Sequence, residues 1–473
     1  MLKEKRKELI DYIKKHRTFL NTNAKALDIY NGNLLPYVDY VLKNSLSDTY
    51  YNAIRHRTLP INILQRFIDK VSTTYSKAPQ RLSQNELGQS FVDYYAKALN
   101  INQSGSIADT YSHLFKGFAW EPYVNKNGKP ALRELSFDSF LVYSDSEVNP
   151  EEETVFLKFL GKKDGDDDSL LIHAYSDTEF DAFYLNGNTA PEYLIENEGL
   201  NLYGTIPFVY GKRQKNYLLP TLDTDMLSMA TAIPVMITDG AGAQMFQAFS
   251  IMYGIDVNSE NLSMSPNAFW SLKSDRETDK NPQIGVLTPQ ADTQKVMEFI
   301  VNNFVLWLET KGIRVGSMGE FNSGSLSSGI AKIIDEMDVY ELKRKSQFWF
   351  TMDEQELWND KLPKIHNQWI KAGLIKPEIG ILPENFDPQV EVKFEEPKPL
   401  ISRTEQIANI EAELRIGTMN KEQAIKILHP ELTDEEIEEI LEGEDAEEMD
   451  TRDDQTTEDD QTERETANSQ DID

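Results

Sequence analysis

Three carboxylates within four residues, Asp335, Glu336 and Asp338, are the groups in this sequence best spaced to hold a divalent cation for phosphodiester cleavage. Lys343, Arg344 and Lys345 follow on the same helical pattern, so a solvated, ion-paired helix face is the plainer reading. The run Asp164-Gly165-Asp166-Asp167-Asp168 resembles a calcium loop only in composition, because the alternating ligands and the glutamate at the twelfth position are missing. A Gly/Ser-rich segment, 316–329, could wrap a phosphate, yet no G-x-x-x-x-G-K-[ST] occurs and the lysine such a cradle needs is absent. There is no G-x-S-x-G elbow, and His113, His173 and His366 stand apart, as packed or surface histidines do. The chain has no cysteine and only six histidines, which excludes disulfides and thiolate metal sites and disfavours a histidine-rich one. The expectation is a protein that is not an enzyme and carries no cofactor and no metal.

The charge is unevenly placed. Residues 434–473 carry twenty Asp or Glu against Arg452 and Arg464, about −18 of the formal −31. Such a block repels itself and stays solvated, so a disordered acidic tail is expected over 444–473. The remaining body is mildly acidic and has apolar content for two or three packed units of roughly 100–200 residues each. Met1 to Arg17 is a basic amphipathic run without the apolar centre of a signal peptide, and no stretch reaches the ~18 apolar residues of a membrane span. A soluble chain of a reducing, cytoplasmic compartment is expected.

The elements that would position any site read as follows. The first hundred residues look helical, with Leu9, Ile10 and Ile13 on one face and a second helix entered at Pro60 that carries Ile63, Phe67, Ile68 and Val71. From Lys116 the apolar period changes to two, and Asn127-Gly128 supplies positive φ angles for a tight hairpin between Phe118–Tyr123 and Leu132–Leu135. Strand-like runs continue at 140–143, 154–160, 170–175, 180–185 and 206–210, which makes an α+β unit. After Pro220, Leu222, Met226, Met229, Ile233, Met236 and Ile237 mark a helix of about 25 residues, with small residues at Gly240–Ala243 that permit close approach. Strands are expected at 251–255, 269–272 and 284–287. A second long helix then spans 292–311, its apolar face formed by Val296, Phe299, Ile300, Phe304 and Trp307. A third helical pattern runs from Ile330 to about Ala372, with a kink or break expected near Leu362 because Pro363 removes a helical hydrogen bond. A strand at 390–394 precedes three short helices: one ended by Gly417, one capped by Asn420 with Gln423, and one capped by Thr433 with Glu436.

Taken in order, these pieces resemble the portal proteins of tailed bacteriophages and prophages, the head-to-tail connector family. The resemblance covers nearly the whole chain. It is carried by GFAWEPYVNKNGK at 117–129 followed by LSFDSFLVY at 135–143, GTIPFV at 204–209 before the first long helix, and LTP at 287–289 before the second. SSGIAK at 327–332 opening the third, and the short capped helices between Pro397 and Gly443, complete it. Each piece alone is weak; their order is specific.

The resemblance implies a fold with a wing at 1–218, a stem of two helices at 219–248 and 291–313, and a small β-containing clip at 249–290 between them. It further implies a tunnel-loop region at 314–344, a wing return at 345–400, a helical crown at 401–443 and the tail at 444–473. Arg314, Met318, Phe321, Asn322, Ser325, Lys332, Lys343 and Arg344 are then the candidates for facing DNA in a channel. It implies a ring, typically of about twelve copies, at one capsid vertex of the virion, assembled in the host cytoplasm. Double-stranded DNA would pass through it without sequence specificity, and the partners would be the terminase large subunit, head-tail joining or adaptor proteins, and the major capsid and scaffolding proteins, with no membrane. A mildly acidic body suits passage, since every neutralised phosphate adds salt-dependent affinity. Two alternatives remain open on the residues alone: a non-catalytic adaptor whose acidic tail binds a partner, and a metal-dependent nuclease using Asp335, Glu336 and Asp338.

Overall fold

In a computed structural model the protein is an α+β chain. The structure describes residues 2–161, 170–191, 199–221, 223–248, 251–255, 283–287, 293–313, 329–376, 379–384, 386–395 and 403–429, with 432, 436, 437, 440 and 441. It divides by contacts into one unit of Met1–Gly324 with Asp335–Lys398 and a second of Ser325–Ile334 with Pro399–Asp473. Among the described residues no helix is long and apolar enough to cross a membrane. Among those residues, too, no group of three or more histidine, aspartate or glutamate side chains is placed to hold a metal ion.

The first unit opens with α1 (Leu2–Lys15), whose Leu2, Leu9, Ile10 and Ile13 are buried at helical spacing. They pack on Leu141, Leu157, Ile172 and Phe183 of a four-stranded antiparallel sheet in the order β4 (Phe140–Tyr143), β5 (Val155–Leu160), β6 (Leu171–Tyr175), β7 (Phe180–Tyr184). The basic character of this N-terminal run has a local use. Arg6 donates from Nε and Nη2 to the two oxygens of fully buried Asp181, at 2.5 and 2.7 Å, while Lys5 pairs with Asp145.

Helices α2 (Arg17–Tyr30), α3 (Leu35–Ser45), α4 (Asp48–Ile54) and α5 (Ile63–Val71) follow. The fifth starts later than Pro60 implies, because Asn62 is the cap: its Oδ1 accepts from the Gln65 amide at 3.1 Å. A short strand absent from the sequence reading, β1 (Gln80–Ser83), then pairs antiparallel with β11 (Val390–Lys393), some three hundred residues away. Helices α6 (Glu86–Ala98) and α7 (Ile101–Phe115) lead into β2 (Gly117–Val124) and β3 (Pro130–Leu135), and β8 (Val209–Lys212) completes a three-stranded sheet in the order β3-β2-β8.

The hairpin between β2 and β3 differs from the two-residue turn expected of Asn127-Gly128. Only Gly128 adopts positive φ, +71°, and the loop spans Asn125 to Lys129, closed by the Asn125 amide donating to the Lys129 carbonyl at 2.9 Å. The Asn125 Oδ1 accepts from the Asn127 amide at 2.9 Å, so the side chain at the loop's start organises the turn and Asn127 has no need of the left-handed region.

Next come the long helix α8 (Thr224–Ala248), a hairpin of β9 (Ile251–Ile255) and β10 (Gln283–Leu287), and α9 (Thr293–Thr310). The final long helical stretch is α10 (Gly329–Glu356), a π-helical turn at Leu357–Lys361, and α11 (Leu362–Lys371). The interruption expected near Leu362 is this π turn, and Pro363 sits in the first turn of α11. Leu362 keeps helical angles, φ −61° and ψ −41°, and the wider π turn just before it absorbs the hydrogen bond that proline cannot donate. Phe350, Trp358, Leu362 and Ile365 are fully buried beneath this stretch, and Phe350 stacks on Phe118 of β2 at 5.4 Å.

His173 on β6 is packed edge-on to Phe180 at 5.1 Å, and its Nε2 is buried with no hydrogen-bond partner. Burial, with Lys158 beside it adding in the same direction, pushes the imidazole down to about 4. The fold thus favours the neutral ring, so this contribution to stability is complete above the unfolded value of about 6.5 and is lost as pH falls toward 4. Denaturant titrations at pH 7.5 and 5 are expected to differ by about 2 kcal/mol more in the parent than in His173→Phe, which has no proton to gain.

The second unit contains α12 (Arg403–Ile416), ended by Gly417 at φ +80°, and α13 (Lys421–Leu428). Asn420 and Gln423 form the reciprocal capping box read from the sequence, with 2.8 and 3.2 Å hydrogen bonds. Thr433, the third expected cap, lies outside the described residues, as does a strand at 269–272.

Candidate functional site: the paired helices and the segment that follows them

Helices α8 and α9 lie side by side and are antiparallel in consequence of the hairpin that joins them. Their inner faces join one core: Met226, Leu227, Ala230 and Ile233 of α8 with Ile300, Phe304, Trp307 and Leu308 of α9, against Phe67 and other residues of the N-terminal helices. Trp307 sits 5.0 Å from Phe67 and 5.8 Å from Phe304, so aromatic burial fixes the pair on the body.

One end of the pair is stapled by charge. Lys311 Nζ lies 2.7 Å from Asp223 and 2.9 Å from Asp225. Burial alone would lower the lysine's pKa, but the hydrogen bonds to both carboxylates raise it instead. Hydrogen bonding with the neighbouring Asp223 and then with the Lys311 ammonium holds the Asp225 carboxyl well below the usual range.

Further along α8, Pro234 leaves a gap in the helical ladder. Thr238 Oγ1 donates to the Pro234 carbonyl at 2.8 Å and accepts from the Leu59 amide at 3.3 Å, linking α8 to the segment after α4. The small residues foreseen as close-approach positions act so at Gly242, where a Cβ would come within 2.7 Å of the Tyr50 hydroxyl. At Gly240 it would meet Val296 of α9 at 3.6 Å, an ordinary contact.

On α9 the apolar positions read from the sequence divide between two sides of the helix. Phe299 does not share the buried face of Ile300, Phe304 and Trp307. At about 100° per residue, Phe299 and Leu306 lie on one side of the helix, away from Trp307, and each is 61% exposed, whereas Val296, 36% exposed, falls next to Trp307 and faces Gly240 of α8. Met297, on the opposite side of the helix from Leu306, is 48% exposed. Leu59 and Ile61, in the segment bonded to α8, are exposed as well. The excess of apolar residues on α9 over what one buried face needs was the available signal.

Of the residues proposed to face DNA, Arg314, Met318, Phe321, Asn322 and Ser325 lie outside the described residues, and the Lys332 side chain does too, although its backbone belongs to α10. The carboxylates Asp335, Glu336 and Asp338 are likewise described only in their backbone. Lys343 and Arg344 are neighbours in sequence that go separate ways. Lys343 Nζ donates to Ser76 Oγ at 2.7 Å, and burial, then Lys77, lowers its pKa. Arg344 is exposed and lines an open groove with Glu341, Lys345, Phe348 and Trp349.

His366 and His113 are packed among other side chains. His366 Nε2 donates to the Gly380 carbonyl and its Nδ1 is hydrogen-bonded to the Tyr95 hydroxyl, each at 2.8 Å, and His113 lies 3.5 Å from Asp109 with burial holding it below the ordinary imidazole range.

Compared with known proteins, the chain matches no family model and no curated protein.

Proposed function

We propose that the protein is a self-assembling conduit of the portal type, a ring of about twelve copies around an axial channel for double-stranded DNA at one vertex of a phage capsid. The observation that carries this reading is the helix–hairpin–helix of α8, β9, β10 and α9, whose inner face is committed to the body while its outer face presents Phe299 and Leu306 to solvent. An apolar stripe of this kind on a helix that already has a core of its own calls for a partner, and in a homo-oligomer the partner is the neighbouring copy. The long α10–α11 stretch returning onto the N-terminal part, and the small capped helices after it, follow in the order that family has. In this reading α8 and α9 are the stem, the hairpin is the base of the clip where terminase and head-tail joining proteins dock, and the segment 314–344 holds the tunnel loop and the start of the long helix.

Charge supports a passage role over tight binding. About −13 of the net charge remains on the first 433 residues, so DNA meets a surface with little to neutralise its phosphates. The competing reading, an adaptor built around its acidic tail, is favoured by the tail's density of charge. The two part company on deletion of residues 444–473. A conduit is expected to keep its assembled mass on size-exclusion chromatography with light scattering, whereas an adaptor would keep its mass as a small particle and lose its partner.

A further inference from the structure

A cavity of about 320 Å³ lies where α5, the end of α7, the residue after β8, the start of α8 and α10 meet. Four cationic side chains line it, Lys116, Arg213, Lys311 and Lys345, against one carboxylate, Asp223. That carboxylate is already held by Lys311 at 2.7 Å, and Lys116 approaches it only to 3.9 Å. Lys345 is exposed and makes no ion pair among the described residues. His113, also in the lining, is kept toward its neutral form by burial and adds no full charge.

Two features set this cluster apart from a chance grouping of surface lysines. Arg213 donates from Nη1 to Asp353 at 3.1 Å, but its Nε and Nη2 atoms are buried with no hydrogen-bond partner among the described residues, a costly arrangement for a charged fork. Its guanidinium is held in place by Phe350, 4.3 Å below it. Lys116, at the end of α7, adopts φ +62°, the left-handed conformation in which glycine is the usual residue, so a lysine is kept here at some backbone cost.

Lys345 and Trp349 are shared between this cavity and the open groove of about 520 Å³ on α10. The groove's wall is aromatic and unpaired on its outer side, with Phe348 63% exposed and Arg344 beside it. We infer that the cavity binds the phosphate of a small phosphorylated ligand whose planar body lies along Phe348, the chemistry of a mononucleotide. Guanidinium and ammonium groups supply the geometry a phosphate needs, and an exposed ring supplies a stacking surface for a base. The size of the cavity suits a small molecule rather than a duplex.

The test is calorimetric titration of the full-length protein with inorganic phosphate, adenosine and adenosine monophosphate, together with a short DNA duplex. Saturable phosphate binding is expected, with the monophosphate at least tenfold tighter than phosphate. Lys345→Ala, an exposed change that leaves the fold intact, is expected to weaken both by tenfold or more, and Phe348→Ser to remove the advantage of the monophosphate alone. A monophosphate no tighter than phosphate would overturn the stacking assignment. Failure of both to saturate, indifference to Lys345→Ala, or heat with the duplex only would overturn the site.

Discussion

Replacing Glu354 with alanine is expected to cost the fold about 3–5 kcal/mol, the largest loss from any single polar change described here. Its carboxylate is fully buried and serves four donors. Oε1 accepts from the Tyr75 hydroxyl at 2.7 Å and Arg81 Nη2 at 2.8 Å; Oε2 accepts from Arg81 Nε at 2.6 Å and the Trp358 indole at 3.1 Å. The Arg81 side chain is itself only 6% exposed, so alanine at 354 strands a guanidinium in the interior with most of its donors unpaired. Glu354→Gln keeps the shape and an acceptor but loses the charge, and falls between. Replacing both partners, Glu354→Met with Arg81→Met, is expected to cost less than Glu354→Ala alone, because the penalty lies in the orphaned charge more than in the pair's net attraction. Urea unfolding monitored by tryptophan fluorescence measures all four proteins. A loss below about 1 kcal/mol for Glu354→Ala would show that the network is not what fastens α10 to the N-terminal part.

The second large effect concerns assembly. Phe299→Asp with Leu306→Asp is expected to abolish association of copies while leaving the monomer's fold intact. Both side chains are 61% exposed, so their replacement falls among surface changes that shift stability by about 0.5 kcal/mol or less. In an interface the same two positions would lose roughly 1.5–3 kcal/mol of apolar burial each and gain a desolvated carboxylate. A weakening of at least about 100-fold in the association midpoint follows from the apolar terms alone. Sedimentation velocity of the double variant beside Glu341→Gln, an exposed change on another helix, separates interface loss from general damage. An assembled double variant would move the interface away from α9.

What could be read in advance, and what could not, divides along sequence distance. Elements whose cause is local were legible. The capping box at Asn420 and Gln423, the glycine stop at 417, the strand at 140–143 and the length of α8 all depend on residues within one or two turns of each other. The pairing of β1 with β11 was not, because Gln80–Ser83 has no alternation strong enough to announce a strand and its partner is supplied from Val390–Lys393. The tie from Glu354 to Arg81 bridges 273 positions and depends on where α10 comes to rest, which no periodicity states. Pro363 shows a third case: the local rule locates the interruption next to Leu362, but not its form, a π turn among the buried Trp358, Leu362 and Ile365.

The candidate site was half legible for the same reason. The apolar residues of α9 are visible in the sequence as a group, but which of them face the body depends on the placement of Phe67 and α8, so periodicity alone does not separate Phe299 from Ile300 and Trp307. Likewise Lys343 and Arg344 looked equivalent in sequence until Ser76 engaged one of them and left the other exposed. The cationic cavity was invisible in the sequence, since Lys116, Arg213, Lys311 and Lys345 come from four separate segments.

The central claim is self-assembly into a ring, and the most direct measurement is the mass of the purified protein by light scattering over a hundredfold range of concentration, with negative-stain imaging of the same fractions. The conduit reading expects a particle about twelve times the 54.2 kDa chain mass with a central hole. A species that stays at the chain mass throughout that range, and remains so when scaffolding protein is added, would contradict it.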